Sequence, residues 1–131
     1  MLARDITFPS SLGMVVRAVR ASLTDFPGVV VQPKLPDVKA RLMVTVRDDG
    51  GTPRDGVSRR RHGFNVWADS PVVAEELAIA VADACRKDLG ALEVTDPVEV
   101  SDATDDVLTV GGKTLTHYFL SAVLLVRATN L

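Results

Sequence analysis

The sequence predicts an α+β fold: a single domain, 1–131, with a mostly antiparallel sheet and two helices packed on one face. Three observations carry that expectation. Two segments place apolar residues at spacings of three and four, as amphipathic helices do. Several shorter segments alternate apolar and polar residues, as half-buried strands do. One late segment, "LTHYFLSAVLLVR", is apolar on both faces, which suits a strand in the middle of a sheet. A chain of 131 residues, 47% hydrophobic and 24% charged, has the balance of a globular domain with one core rather than of a disordered chain.

Ser10 or Ser11 is placed to cap the first helix, and Leu12, Val15, Val16, Val19, Leu23 and Phe26 form its apolar stripe. Pro27-Gly28 ends it. "VVVQP" reads as a short strand, and "KLPDVK" as a connection. In "RLMVTVR", Leu42, Val44 and Val46 share one face of a second strand. The segment Asp48 to Ser58 holds four glycines and prolines and three aspartates in eleven residues, which predicts a long flexible loop over 48–59.

A third strand is expected from Arg60 to Ala68, with Phe64, Val66 and Ala68 on one face and Asn65 and Trp67 on the other. Ser70 caps a second helix, and Pro71 suits its first turn. Ala74, Leu77, Ala78, Val81, Ala84 and Cys85 form its buried side, Ile79 falls on the wet side, and Gly90 stops it. Pro97 to Ala103 alternates like an edge strand, and "TDD" follows as a turn. Gly111-Gly112 suits a tight hairpin. The two-sided strand, Leu115 to Arg127, closes the chain as its central strand, paired with the Arg60–Ala68 strand.

The formal net charge of −2 gives no global field that draws in nucleic acid or anionic membrane. The single cysteine, Cys85, has no internal disulfide partner and no companions at zinc spacing, which fits a reducing compartment. "MLARDITFPSSLG" lacks the apolar core of a leader, and the longest apolar run, "FLSAVLLV", is far short of the ~20 residues of a spanning helix. The chain is therefore expected in the cytosol where it is made.

Candidate chemistry is sparse. "VGGKT" resembles the tail of a phosphate-binding loop, but Val107 stands where the leading glycine belongs, and a strand follows the lysine. His62, His117 and Cys85 do not sit at ligand spacings, and the pairs Asp48-Asp49 and Asp105-Asp106 lie in turns. No catalytic residue, metal or cofactor is expected. The run Arg59, Arg60, Arg61, His62 has three readings: a solvated loop end, contact with an acidic partner protein, or contact with nucleic acid. The last lacks the interleaved aromatic residues that base stacking requires. With Asp48, Asp49, Arg54 and Asp55, the arginines make a candidate partner-contact loop; Trp67 and Ile79 make a candidate subunit interface.

In order, the chain has a capped amphipathic helix, "RLMVTVRDDGG" running into a glycine-rich segment, and an arginine-rich return strand ending "FNVWADSP". The alanine-rich helix "VVAEELAIAVADACR" follows. This layout, from about Leu12 to Arg127, resembles the tail terminator (tail completion) proteins of long-tailed, lambda-type bacteriophages. "PVEVSDATDDV" matches them in layout alone. The resemblance implies a small wedge that forms a homo-oligomeric ring, a hexamer in that family. The ring caps the head-proximal end of the tail tube. Its partners would be the major tail tube protein and the head connector, and DNA would pass through the lumen without sequence-specific binding. Its place would be the virion tail, after assembly in the host cytoplasm. The arginines would face neighbouring protein or the lumen, and assembly would cover the Trp67 face. Two alternatives stand beside it: another neck or head–tail joining adaptor, and a small-molecule-binding α+β domain, which would need a concave pocket with converging polar groups.

Overall fold

A computed structural model describes residues 10–128. The N-terminal segment considered above as a leader lies outside them as far as Pro9, as do residues 129–131. Helix α1 spans Ser11–Ser22 and α2 spans Pro71–Lys87. Strands β1 (Val30–Gln32), β2 (Leu42–Arg54), β3 (Val57–Ala68), β4 (Glu93–Val94), β5 (Val98–Val100) and β8 (Thr116–Arg127) form one sheet. Strands β6 (Thr109–Val110) and β7 (Lys113–Thr114) form a separate hairpin. The sheet order is β1-β2-β3-β8, with β4 and β5 lying in succession along the far side of β8. Among the described residues only the β1–β2 pair is parallel.

The α+β expectation therefore holds, and β8 is central and pairs with β3 along its whole length. Alternation decides what each face buries. Val44, Val46, Phe64, Val66, Leu120, Ala122 and Leu124 meet Val15, Val16 and Val19 of α1 and Leu77, Ala78, Val81 and Cys85 of α2 in one core. Burying these side chains contributes about 1.5–3 kcal/mol for each large one, and this burial does most to hold the helices to the sheet. Ser70 caps α2 by accepting from the Val73 N–H, and Gly90 takes a φ of 58° just beyond its end. Ser10 stands at the α1 cap without a side-chain cap bond, and the Ser11 hydroxyl is used elsewhere. Arg20 donates to the Val31 carbonyl at 2.6 Å and so ties α1 to the short strand β1.

The predicted flexible loop over 48–59 is instead ordered β-structure. Strands β2 and β3 continue through it to a two-residue turn at Asp55-Gly56, and β3 begins at Val57 rather than at Arg60. The residues that read as a loop are hairpin devices. Asp55 and Gly56 have φ of 52° and 78°, as a tight hairpin turn with the twist of its strands requires. Gly50 and Gly51 mark a bulge between Asp48 and Gly51, where a Cβ on Gly51 would stand 2.1 Å from the Arg59 carbonyl oxygen. Beyond Thr45, β2 has no further strand beside it among the described residues, so Pro53 costs no ladder bond there.

Trp67 is also a correction. It lies on the face away from the helices, as alternation requires, but its own chain covers it to 7% exposure. Met43 and Leu115 pack with it, joined by Leu35 and Ala40 from the connection after β1 and by Leu108 and Val110 around the β6–β7 hairpin. Trp67 is thus part of a second small core and not an open subunit interface.

Candidate functional site

The extended hairpin brings Asp48, Asp49, Arg54, Asp55, Arg59, Arg60 and Arg61 together, as the sequence suggested, but strand alternation divides them between two faces. On the helix side, Arg60 Nη2 donates to both oxygens of Asp48 at 2.8 and 2.7 Å, and the Gly50 N–H donates to the same carboxylate at 2.9 Å. Partial burial pushes the Asp48 carboxyl up, but the Gly50 and Arg60 bonds outweigh it, and its pKa is lowered overall. Next to this pair His62 is fully buried, 2.9 Å from the Ser11 hydroxyl. Burial lowers its pKa below the usual 6.5, against the opposing pull of Asp48. The run of four potentially positive residues therefore ends in a histidine held neutral inside the core.

On the outer face, Arg47 donates to Asp49 at 2.6 Å and lies 5.7 Å from the centre of the Phe119 ring. The Asp49 bond raises the Arg47 pKa. Gly63 makes room for this arrangement: a Cβ there would stand 2.8 Å from Asp49 Oδ2 and 3.2 Å from Phe119 Cε2. Arg61 donates to the Ser121 hydroxyl at 3.0 Å. Arg59 and Arg61 both reach Glu93 of β4, each at 4.0 Å, beyond hydrogen-bonding length. Asp49, Thr52, Arg59, Arg61, Glu93 and Val123 line an open cleft of about 420 Å³ here. Arg54 and Leu125 line an adjoining depression on the same face.

Ile79 is 46% exposed on α2, across the sheet from Trp67. The two residues of the predicted subunit interface are not brought together. Arg47, Glu93 and Ser121 belong to the site although the sequence patterns did not single them out. The alternation of Arg47 and Asp49 with Val46 and Asp48 was a usable signal for the first. Nothing local marks Glu93, which only the β4–β8 pairing carries to the arginines.

A second polar cluster surrounds His117. Its Nδ1 lies 2.9 Å from Asp102, its Nε2 lies 2.8 Å from the Asn65 side chain, and its ring stacks on Trp67 with centroids 4.5 Å apart. With Nδ1–H donating to Asp102, a neutral ring needs the Asn65 carboxamide turned to offer its NH2 group; an imidazolium accepts the arrangement as it stands. Both ring nitrogens are engaged, so the cluster pins the segment around Asp102 against the middle of the sheet. Cys85 is buried in the main core, and burial pushes its thiol up to about 12. Among the described residues no three His, Cys, Asp or Glu side chains gather as a metal site would require, and no helix is long and apolar enough to cross a membrane. No family model matches the chain, and no curated protein matches it either.

Proposed function

We propose that this chain is a structural bacteriophage protein of tail-terminator type: it forms a ring on the head-proximal end of the tail tube, stops tube growth and offers a surface to the head connector. The observation that carries this reading is the β2–β3 hairpin, which holds Arg54, Arg59 and Arg61 in fixed array on an open sheet face. Arginines presented this way suit contact with carboxylates of a neighbouring protein, because charge-assisted bonds at a desolvated interface are stronger than neutral ones. The helix–strand order that resembles the terminator family supports the same reading.

Under it, the ring is homo-oligomeric, hexameric by resemblance. Its partners are the tail tube protein and the connector, and DNA passes without sequence-specific contact. The protein resides in the virion tail after assembly in the host cytoplasm. Electron microscopy of tails assembled with and without the chain tests the reading. Its absence should give overlong tubes that fail to join heads. Tails of normal length that join heads without it would sink the proposal.

A further inference from the structure

Charge is segregated along this chain. Between Asp88 and Asp106 there are seven acids and no lysine or arginine, whereas Arg47 to Arg61 holds five arginines against three aspartates. The acidic segment forms the sheet edge along β8. Three of its acids are occupied: Asp88 accepts from the Ser22 hydroxyl, Glu93 faces Arg59 and Arg61, and Asp102 holds His117. Asp96, Glu99, Asp105 and Asp106 are exposed and make no ion pair among the described residues. Apolar side chains stand among them, with Val98 57% exposed. The arginine face has the matching composition, with Leu125, 47% exposed, directly opposite Arg59 in the ladder.

We propose that the arginine face of the β2–β3 hairpin binds the acidic edge, residues 96–106, of a second copy of this chain. The inference deepens the ring proposed above and rests on it for the choice of a second copy as occupant; charge complementarity within one sequence is its own support. Glu99 and Arg59 cannot meet within one copy. Glu99 pairs with Tyr118 of β8, whereas Arg59 pairs with Leu125. Seven residues of strand separate those positions by about 23 Å. Because the surfaces do not overlap, their contact can repeat head to tail and build a ring.

Glu93 shows what the arginines lack. It spans Arg59 and Arg61 at a distance too long for hydrogen bonds, and their side chains stay 61% and 48% exposed. A carboxylate from a neighbour at hydrogen-bonding length would complete them. A nucleic-acid strand fits this face less well: the Phe119 ring lies beside Arg47, Trp67 is covered, and Asp49 and Glu93 stand among the cations.

Sedimentation velocity of the purified full chain tests the proposal, with circular dichroism to check folding. The wild type should associate with rising concentration, and its apparent Kd should rise at least tenfold between about 50 and about 500 mM salt, as exposed charges are screened. Arg54→Glu with Arg59→Glu should leave a monomer, and so should Asp96→Lys with Glu99→Lys. Mixed in equal amounts, the two variants should recover the wild-type mass, because each then meets a surface of opposite sign. Should a reversal variant misfold, the milder pair Arg59→Ala and Glu99→Gln should each weaken association about tenfold, the loss of one charge pair at a desolvated contact. A wild type that stays monomeric overturns the proposal. So does a mixture that stays monomeric, association unchanged in the variants, or an oligonucleotide bound by the arginine face in place of a second copy. No tail tube is present in this measurement. A chain that self-associates but does not cap tubes would overturn the proposed function and leave this inference standing.

Discussion

The Nε2 atom of His62 lies 2.9 Å from the Ser11 hydroxyl, a bond that joins the first residue of α1 to the middle of β3 across 51 positions of sequence. The Nδ1 atom of His62 and the Ser58 hydroxyl, further along the same strand, are buried and have no partner among the described residues. The Ser11–His62 bond takes the Ser11 hydroxyl that could have capped α1, and it sets the helix against a buried imidazole whose charging is opposed by burial.

Stability should therefore fall in mild acid. The folded-state pKa of His62 is depressed below 6.5 by burial, so the unfolded chain takes up the proton first. The contribution is fully present above 6.5 and is lost as pH falls through and below that value towards the folded pKa. Nearby charges share in the balance: Asp48 on the same face and Asp49 across the sheet favour the proton, and Arg60 opposes it. Asp48, itself depressed, holds its contribution above its usual 3.8 and loses it at lower pH, so the two windows separate. Chemical denaturation at a series of pH values should show the midpoint dropping between pH 7 and pH 5, and His62→Gln should flatten that drop. A wild-type midpoint constant over this range would contradict the burial of a neutral ring.

The hairpin should be protected against hydrogen exchange. Strand β3 has β2 on one side and β8 on the other from Val57 onward, so its amides should exchange slowly, with Ala122 to Val126 of β8 among the slowest. The part of β2 beyond Thr45 lacks a second neighbour among the described residues, and its outward amides should exchange faster. Uniformly fast exchange from Asp48 to Arg61 would restore the flexible-loop expectation.

Two glycines of the hairpin should differ in their tolerance of alanine. At Gly51 the added Cβ meets the Arg59 backbone, and relief requires the two strands to separate. Gly51→Ala should cost about 1–3 kcal/mol, the range for overpacking a fitted contact. At Gly63 the nearest atoms are ends of the Asp49 and Arg47 side chains, which can swing aside. Gly63→Ala should cost less and should mainly disturb the outer-face ion pair. Equal losses in thermal denaturation would mean the bulge is not held as described.

The three arginines should rank by face. Arg60 is only 27% exposed and holds Asp48 beside His62, so Arg60→Ala should cost about 1 kcal/mol, at the upper end for a partly exposed pair. Arg59, 61% exposed, should tolerate alanine within about 0.5 kcal/mol, as surface positions do. Arg61→Ala should fall between, through its bond to Ser121. Urea midpoints of the three single variants give the order directly, and a larger loss at Arg59 than at Arg60 would reverse the assignment of faces.

Local pattern was enough for much of the fold. The apolar stripe of α2, the Ser70-Pro71 start, the Gly90 stop and the two-sided strand β8 each follow from the spacing of residues close in sequence and stand as expected. Helix α1, by contrast, ends at Ser22, so Leu23 and Phe26 of its predicted stripe lie beyond the helix and Pro27-Gly28 is not its stop. The hairpin was legible in principle. Asp55-Gly56 is a strong turn signal, but the surrounding glycines, proline and aspartates match a loop equally well until the bulge gives Gly50 and Gly51 a position in the ladder.

What only the tertiary structure decided is which groups meet across long separations. Trp67 had the alternation of an open-face residue, and it is covered because the connection after β1 and the β6–β7 hairpin fold over that end of the sheet. The Arg59–His62 run had the composition of one basic patch. Pleating sends Arg59 and Arg61 towards Glu93 and sends Arg60 and His62 towards Asp48 and Ser11. Sequence by itself determined the period of each element, because that depends on neighbours a few residues apart. The charge state of His62 and the partners of each arginine depend on burial and on atoms brought together only when the sheet closes, and no local pattern contains them.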